Sequence, residues 1–170
     1  LYQFDGTNGA QNNTFLDSSS NAFSVTRSGS ATQGTFSPFS AEEGKWSAQF
    51  TRSSLHNYIS PDSSSDFAFG TGDFTIECFC YLTGGGEASG NGLFAPTTGV
   101  VGPALGQWNT NGWQIYCGTS ETNISNTSYP QNEWVHVAFV RASNVVNVYQ
   151  NGVKVTSDIS DSTNYTNTGF

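Results

Sequence analysis

The most constraining feature of the sequence is a period-two alternation of apolar side chains over residues 73–82 (DFTIECFCYL). Successive side chains of an extended strand point to opposite faces, so this pattern predicts a strand with one face in a core. The predicted core face carries Phe74, Ile76, Cys78, Cys80 and Leu82. The opposite face is mixed and places one acid between aromatic rings. Its members are Thr75, Glu77, Phe79 and Tyr81.

Two cysteines in this strand raise the question of a metal site or a redox pair. Side chains two residues apart on a strand lie about 7 Å from each other, whereas a disulfide needs β-carbons about 4 Å apart. The other sulfur and imidazole candidates, Cys117, His56 and His136, show no standard zinc-ligand spacing. Free cysteine is among the most buried residue types, so we expect Cys78 and Cys80 to be buried, unreactive thiols.

Two further segments carry strand patterns. Residues 133–141 (EWVHVAFVR) are apolar on both faces, which is typical of a strand in the middle of a sheet. Residues 144–155 (NVVNVYQNGVKV) contain an Asn-Gly dipeptide at 151–152, the strongest short signal for a two-residue β-hairpin turn. The predicted buried face of this hairpin carries Val146, Val148, Val153 and Val155.

Weaker strand patterns and polar stretches fill the rest of the chain. The weaker strand candidates are residues 1–4, 22–27, 45–51, 55–60 and 112–118. Two polar stretches, residues 84–92 and 121–132, are predicted to be loops. Charged residues make up 11% and aromatic residues 14%, a composition that favours strands over helices. Many short strands with turns between them predict an all-β fold, a single antiparallel two-sheet sandwich domain over residues 1–170.

The charge of the chain excludes two classes of partner. The formal net charge is −8, with five Lys and Arg residues in total. Nucleic-acid binding needs a basic patch, and anionic membranes attract polybasic segments, so neither partner is expected. No apolar run approaches the roughly 20 residues that span a bilayer as a helix.

Three motifs in sequence order carry a resemblance to a known family. They are GTGDFTIE at residues 70–77, EWVHVAFVR at 133–141 and VNVYQNGV at 146–153. Together they resemble the laminin G-like branch of the concanavalin A-like jelly rolls, over roughly residues 45–155. The resemblance implies a jelly-roll sandwich with a further strand after the hairpin that pairs back near the N-terminus. Either that strand comes from another segment, or the 170 residues are part of a longer polypeptide.

The leading residues 4–29 are similar to the lead-in of such domains in tail fibres and structural proteins of marine bacteriophages. This similarity implies a viral structural protein, a non-catalytic module on the virion surface in a tail or capsid fibre. Its expected partners are a host-surface glycan or neighbouring virion proteins. Glycan binding would serve host recognition. A homo-oligomer is a further expectation. The alternative is a secreted, extracellular bacterial lectin-like carbohydrate-binding module.

The acids of the sequence do not favour an enzyme. Glycan hydrolysis uses two carboxylates about 5–9 Å apart across a cleft. Glu42 and Glu43 are adjacent, so a strand would point them to opposite faces, and Glu77 is alone on its strand. The Gly-x-Ser-x-Gly elbow of serine hydrolases does not occur. We therefore predict that the chain is not an enzyme.

Glycan binding has a candidate in the stretch GQWNTNGW, residues 106–113. Protein sites for sugars combine an aromatic surface with amide and hydroxyl groups. Trp108 with Asn109 and Asn111 offers this combination, and these three are the predicted carbohydrate-binding residues. The alternative for Trp108 is a residue that anchors a loop. Tyr129 is a weaker candidate of the same kind.

A calcium ion is implied by the resemblance, because laminin G-like domains often hold Ca²⁺ with a loop aspartate and carbonyl oxygens. Calcium takes six to eight oxygen ligands. Asp17 and Asp5 are the predicted metal ligands, and no other cofactor is expected. The alternative for Asp17 is a turn residue, because it precedes the sequence SSSN.

Overall fold

The computed structural model describes residues 2–3, 15–39, 46–51, 57–83, 91–96, 102–107, 112–118, 120–123 and 129–170. The chain divides into two compact units, residues 1–63 with Gly169, and residues 64–168 with Phe170. Antiparallel strands build both units, and the helical structure in the described ranges is a 3₁₀ turn at Ser65–Phe67. The predicted all-β fold is confirmed. A search of the same ranges for a long apolar helix able to cross a membrane finds none.

The first unit consists of three two-stranded antiparallel sheets. Its strands are β1 (Tyr2–Gln3), β2 (Leu16–Asp17), β3 (Val25–Ser28), β4 (Thr32–Gly34), β5 (Ser47–Gln49) and β6 (Tyr58–Pro61). The pairs are β1 with β2, β3 with β6, and β4 with β5. Strands β1, β3, β5 and β6 overlap the four weak candidates in this part of the sequence. Strands β2 and β4 were not predicted, because two or three residues are too few to show an alternation.

The second unit contains two larger antiparallel sheets. Its strands are β7 (Phe74–Tyr81), β8 (Asn91–Phe94), β9 (Ala104–Gln107), β10 (Trp113–Cys117), β11 (Ser120–Asn123), β12 (Trp134–Ala142), β13 (Val145–Gln150), β14 (Val153–Lys154) and β15 (Ile159–Ser160). The five-stranded sheet has the order β14-β13-β12-β7, with β15 also paired to β13. The four-stranded sheet has the order β11-β10-β9-β8.

Strand β12 lies in the middle of the five-stranded sheet, as its two apolar faces predict. It pairs with β7, where Val137 faces Cys78, and with β13, where Phe139 faces Val148. Alternate side chains of β12 enter the core, so that Val137 and Phe139 are almost completely buried. The predicted core face of β7 is confirmed as well. Phe74 and Cys80 are buried, and Ile76 packs against the core.

The core of the second unit draws side chains from both sheets. The four-stranded sheet contributes Leu105, Trp113, Ile115 and Cys117, and the five-stranded sheet contributes Phe74, Cys80, Val135, Val137, Phe139, Val146 and Val148. The ring of Phe139 makes an edge contact with Phe74, with ring centroids 5.6 Å apart, and stacks on Phe94 at 5.8 Å. Burial of these large side chains supplies the main favourable term for folding.

The hairpin between β13 and β14 pairs Gln150 with Val153 and Tyr149 with Lys154, as a two-residue Asn-Gly loop requires. Asn151 and Gly152 form its turn with φ values of 50° and 78°. These left-handed values favour asparagine and glycine. Val148 is buried as expected, but Val153 is 65% exposed, so its predicted core position is wrong. Val153 directly follows the turn, and Gln150 opposite it reaches the core side instead, where its Oε1 accepts a hydrogen bond from the Trp113 indole at 2.9 Å.

Three strands of the second unit occur where no strand was predicted. Strand β8 begins inside the stretch 84–92, strand β11 lies inside the stretch 121–132 apart from its first residue, and β9 was not a candidate. All three pair with a neighbouring strand, and the pairing of β8 with β9 shifts its register between Gly92 and Phe94. Their sequences, NGLF, ALGQ and SETN, lack an apolar alternation, and the hydrogen bonds of the partner backbone select the strand instead. Residues 84–90 and 124–128 lie outside the described ranges.

The segment after the hairpin pairs back onto the second unit. Strand β15 pairs with β13, and the backbones of Tyr165 and Gly70 exchange two hydrogen bonds of 2.9 Å. The backbone N–H of Ser64 donates to the carbonyl of Thr168 at 2.7 Å. These contacts are with residues 64–70 and 145–146, whereas the family resemblance implies a pairing near the N-terminus.

A buried arginine ties this C-terminal segment to the sheet. Arg141 ends the core face of β12, is 1% exposed, and has all its N–H groups directed at acceptors. Its Nε donates to the carbonyl of Gly72 at 2.9 Å, and its Nη2 to the carbonyls of Gly70 and Gly72 at 2.8 and 2.6 Å. Its Nη1 donates to the carbonyl of Thr163 at 2.8 Å and to Asp161 Oδ2 at 3.2 Å.

Tyr165 and Asp161 complete this group, which we call the Arg141 clasp. The Tyr165 hydroxyl donates to Asp161 Oδ2 at 2.9 Å, and the backbone N–H of Thr163 donates to Oδ1 at 3.0 Å. The guanidinium lies over two rings, 5.2 Å from the centroid of Phe74 and 4.8 Å from that of Tyr165. Each charged group of the clasp is therefore paired, as buried charges must be.

The Arg141 clasp makes the free energy of unfolding depend on pH in the acidic range. Burial disfavours the ionised Asp161, but hydrogen bonds from Thr163, Tyr165 and Arg141 together hold the pKa of its carboxyl below its usual value. A folded-state pKa below the unfolded one contributes stability above the unfolded pKa, and this contribution is lost as the pH falls through the folded value. We expect the free energy of unfolding, measured in urea from pH 6 to pH 2, to fall below about pH 4. The fall should be shallower in Asp161→Asn, and equal slopes would contradict this role.

Candidate functional site

The side of the five-stranded sheet that points away from the core is open. Its strands place on that side the alternate residues that the core does not use. This outer face includes Thr75, Glu77, Phe79, Tyr81, Trp134, His136, Ala138, Val140, Asn147, Tyr149 and Lys154. Phe79 on this face is 47% exposed.

Aromatic rings run along the outer face across β7 and β12. Trp134 lies opposite Tyr81 in the strand register, with ring centroids 5.5 Å apart in an edge contact. His136 lies opposite Phe79, with ring centroids 5.0 Å apart. The two cross-strand pairs are neighbours along the strands, so they form one aromatic strip, and such pairs also stabilise the sheet.

A carboxylate lies beside this strip. Glu77 Oε2 is 3.2 Å from His136 Nε2, and the two side chains are 60% and 29% exposed. The contact is diagonal between neighbouring strands, because Glu77 lies opposite Ala138. The backbone of His136 is held in turn by Asn151, whose Oδ1 accepts from the His136 N–H at 3.0 Å and whose N–H donates to the His136 carbonyl at 2.8 Å. The hairpin turn thus fixes the strand that carries the imidazole.

Ala138 forms the middle of the outer face. It lies between Glu77 on β7 and Tyr149 on β13, and Lys154 follows Tyr149 in the same row. Because its side chain is a single methyl group, Ala138 projects less far from the sheet than its two neighbours in this row. Lys154 is held at the end of the row, where its Nζ lies 2.7 Å from Asp158 Oδ1.

The chemistry of the outer face suits a polyhydroxylated ligand. Aromatic surfaces pack against the C–H groups of sugar rings, and a carboxylate and an imidazole can hydrogen-bond hydroxyl groups. Glu77 is the one carboxylate that strands β7, β12 and β13 carry. These strands therefore lack the second carboxylate that glycoside hydrolysis needs.

The predicted carbohydrate-binding residues belong to a part of the sequence other than the strands of this face. Trp108, Asn109 and Asn111 lie outside the described residues, directly after the end of β9, so the structure does not place them. Tyr129, the weaker candidate, is 6% exposed and makes an edge contact with Trp113 at 6.1 Å between ring centroids. Tyr129 is a core residue, and its interpretation as a sugar-binding ring is wrong.

Asp17 has its carboxylate directed into its own turn. Oδ1 accepts from the backbone N–H of Ser19 at 2.9 Å, and Oδ2 accepts from the Ser19 hydroxyl at 2.7 Å and the Phe23 N–H at 3.0 Å. The bonds from Ser19, followed by that from Phe23, hold the pKa of Asp17 far below its usual value. This geometry is that of the turn residue named above as the alternative for Asp17.

Asp17 belongs to no cluster of candidate metal-binding side chains in the described ranges. Among the described residues, no group of three or more His, Cys, Asp and Glu side chains could hold a metal ion. Asp5, the second predicted ligand, lies outside the described ranges. Calcium binding by Asp17 and Asp5 therefore stays a prediction.

The three cysteines are free thiols on or near the core. Burial raises the pKa of Cys78 to about 11, that of Cys80 to about 12 and that of Cys117 to about 11. Since the thiolate is the reactive form, these thiols are protonated and unreactive at neutral pH, as the strand pattern predicts.

The outer-face residues were individually visible in the sequence, but their assembly was not. The sequence places Glu77 and Phe79 on the mixed face of one predicted strand and His136 on another predicted strand. Cross-strand register brings the three together. The sequence signal that points to this face is the aromatic content of β7 and β12, the two strands that pair with each other.

A comparison with protein-family models agrees with this architecture. Residues 52–170, well over half of the chain, match the laminin G-like family model of the concanavalin A-like lectin/glucanases superfamily. The matched region contains every strand from β6 to β15. No curated protein matches the chain. The resemblance carried by the three motifs is confirmed, and the chain belongs to the laminin G-like branch of the concanavalin A-like lectin/glucanases superfamily.

Proposed function

We propose that the chain is a non-catalytic glycan-binding module and that the outer face is its binding site. The observation that carries this proposal is the exposed aromatic strip with the Glu77–His136 pair beside it. Domains of this superfamily include carbohydrate-binding lectins as well as glucanases, which supports a sugar as the ligand. Sugar-binding sites combine ring surfaces with a few polar groups in this way.

The same face supports a binding role over a catalytic one. Retaining and inverting hydrolysis both require a second carboxylate across the scissile bond. Strands β7, β12 and β13 offer Glu77 for this role and no partner for it. We therefore propose a binding cycle without bond cleavage, in which glycan is held and released intact.

Removing the exposed ring tests the proposed site. We expect Phe79→Ala to weaken glycan binding about tenfold, since it removes a stacking surface worth ~1.4 kcal/mol. Binding would be measured on an array of immobilised oligosaccharides and then by calorimetry with the best neutral binder. The matched control is Phe36→Ala, because Phe36 is also an exposed ring, at 59%, and lies in the first unit. Equal affinity losses in both variants, or none in Phe79→Ala, would refute the assignment.

The biological setting we propose is a phage virion appendage, a tail or capsid fibre. The similarity of residues 4–29 to the lead-in of phage fibre domains supports this setting. The module would contact a host-surface glycan or neighbouring virion proteins at the virion surface, with a homo-oligomer as one form of that assembly. The second candidate is a secreted bacterial lectin-like module, which the superfamily membership supports equally.

Antibodies raised against the chain separate the two settings. Labelling of purified virions in electron micrographs is the result that the fibre proposal predicts. Label confined to the culture supernatant of a bacterium that encodes the chain would favour the secreted module instead. Glycan binding by the outer face is common to both settings.

A further inference from the structure

We propose that the outer face selects uncharged glycans and rejects glycans that carry a carboxylate or sulfate group. This inference rests on the proposed function, and it adds the chemical class of the ligand. It follows from the sign and position of the charges around the aromatic strip.

The charge at the centre of the face is negative. Glu77 is 60% exposed and lies beside Phe79 and His136, where a stacked sugar would have its ring substituents. A carboxylate can only accept hydrogen bonds. Sugar hydroxyls can donate to it, whereas a ligand carboxylate or sulfate has no proton to donate and repels it.

No described Lys or Arg of the second unit is available to bind an anionic ligand at this point. Residues 64–168 contain two basic and eight acidic side chains. Arg141 is one of the basic pair and is buried in the clasp. Lys154 is the other, and it is paired with Asp158 at the far end of the row, three strands from Glu77. Neighbouring strands are about 4.8 Å apart, so Lys154 lies beyond close-contact range of an anion at Glu77.

The net charge of the whole chain acts in the same direction. At −8 it repels anionic ligands at long range, an effect that salt screens. The local contribution of Glu77 and the long-range contribution of net charge can therefore be separated by experiment.

Matched pairs of glycans test the selectivity. An array would present neutral oligosaccharides, each beside the same oligosaccharide carrying one sialic acid, one uronic acid or one sulfate. We expect the anionic member of each pair to bind at least tenfold more weakly at 50 mM salt. Equal or tighter binding of anionic members would overturn the charge inference and leave the proposed glycan site intact. Absence of binding to every member would overturn the proposed function itself, and the inference with it.

Two charge variants locate the effect. Glu77→Gln removes the negative charge on the outer face and keeps the shape, and it should reduce the difference within each pair by about fivefold or more. Asp66→Asn changes the net charge by the same amount at the exposed 3₁₀ turn, which is not one of the strands of the outer face, and should leave the difference unchanged. A similar reduction in both variants would assign the selectivity to net charge and overturn the role of Glu77. Thermal unfolding of each variant verifies that the fold is retained.

Discussion

Replacing Arg141 with methionine is expected to lower the free energy of unfolding by about 3–5 kcal/mol, the cost of breaking a buried ion pair by removing one partner. Methionine fills much of the volume of the side chain but offers no N–H group. The carboxylate of Asp161 would stay buried without its cation, and the carbonyls of Gly70, Gly72 and Thr163 would each lose a donor. Each buried acceptor left without a donor carries its own desolvation cost.

Urea denaturation followed by tryptophan fluorescence measures this loss. Lys154→Met is the matched control, because it removes a cation from an exposed ion pair with Asp158. Exposed pairs contribute little, so the control should unfold close to the wild-type midpoint. A double-mutant cycle with Asp161→Asn should give strong coupling to Arg141→Met. Comparable midpoints for Arg141→Met and Lys154→Met would show that the clasp does not hold the C-terminal segment.

The second large effect is expected in the core, where Phe139→Ala should cost about 3–5 kcal/mol. Phe139 is fully buried between the two sheets, with the rings of Phe74 and Phe94 at 5.6 and 5.8 Å between centroids. Its removal deletes apolar contacts and leaves a cavity that rigid strands cannot close. The measurement is the unfolding free energy in urea at neutral pH.

The same substitution on the opposite side of the sheet is the control. Phe79→Ala removes an equal ring from the neighbouring strand, but Phe79 is 47% exposed, so a loss below about 1 kcal/mol is expected. The comparison separates burial from side-chain chemistry, since both variants delete the same atoms. Similar losses at the two positions would mean that the outer face is covered in solution and would also weaken the proposed glycan site.

The strands with strong side-chain alternation could be predicted from the sequence. In β7 the apolar positions alone separate the core side from the open side, and the Asn-Gly turn gives the register of β13 with β14. Strands β8, β9 and β11 could not be predicted this way, because glycine and polar residues dominate them. Their conformation comes from backbone hydrogen bonds to the strand that precedes or follows each of them in the sequence.

The position of Arg141 could be predicted, but its role could not. It shares a strand face with Val135, Val137 and Phe139, and this placement alone makes burial of its guanidinium an expectation. Its partners lie about 20 residues later and about 70 residues earlier in the sequence, in the polar stretches around Asp161 and Gly70. Nothing local marks either stretch as a partner, so the clasp emerges from the topology of the second unit.

The outer face, too, could be predicted from the sequence only in part. The mixed character of one strand face is visible in the sequence from Thr75 to Tyr81, and the prediction of a sugar site at Trp108 rests on a local pattern, a tryptophan next to asparagine. The pairing of Phe79 with His136 and of Tyr81 with Trp134 depends on register between segments more than 50 residues apart. Long-range register is the information that a single sequence does not carry locally.

An NMR titration of the ¹⁵N-labelled chain with its best neutral oligosaccharide tests the central claim most directly. The account predicts that the largest amide shifts cluster on the outer face, at Glu77, Phe79, Trp134 and His136, and that they saturate with the calorimetric affinity. Shifts concentrated at residues 108–111, with the outer face unchanged, would contradict it.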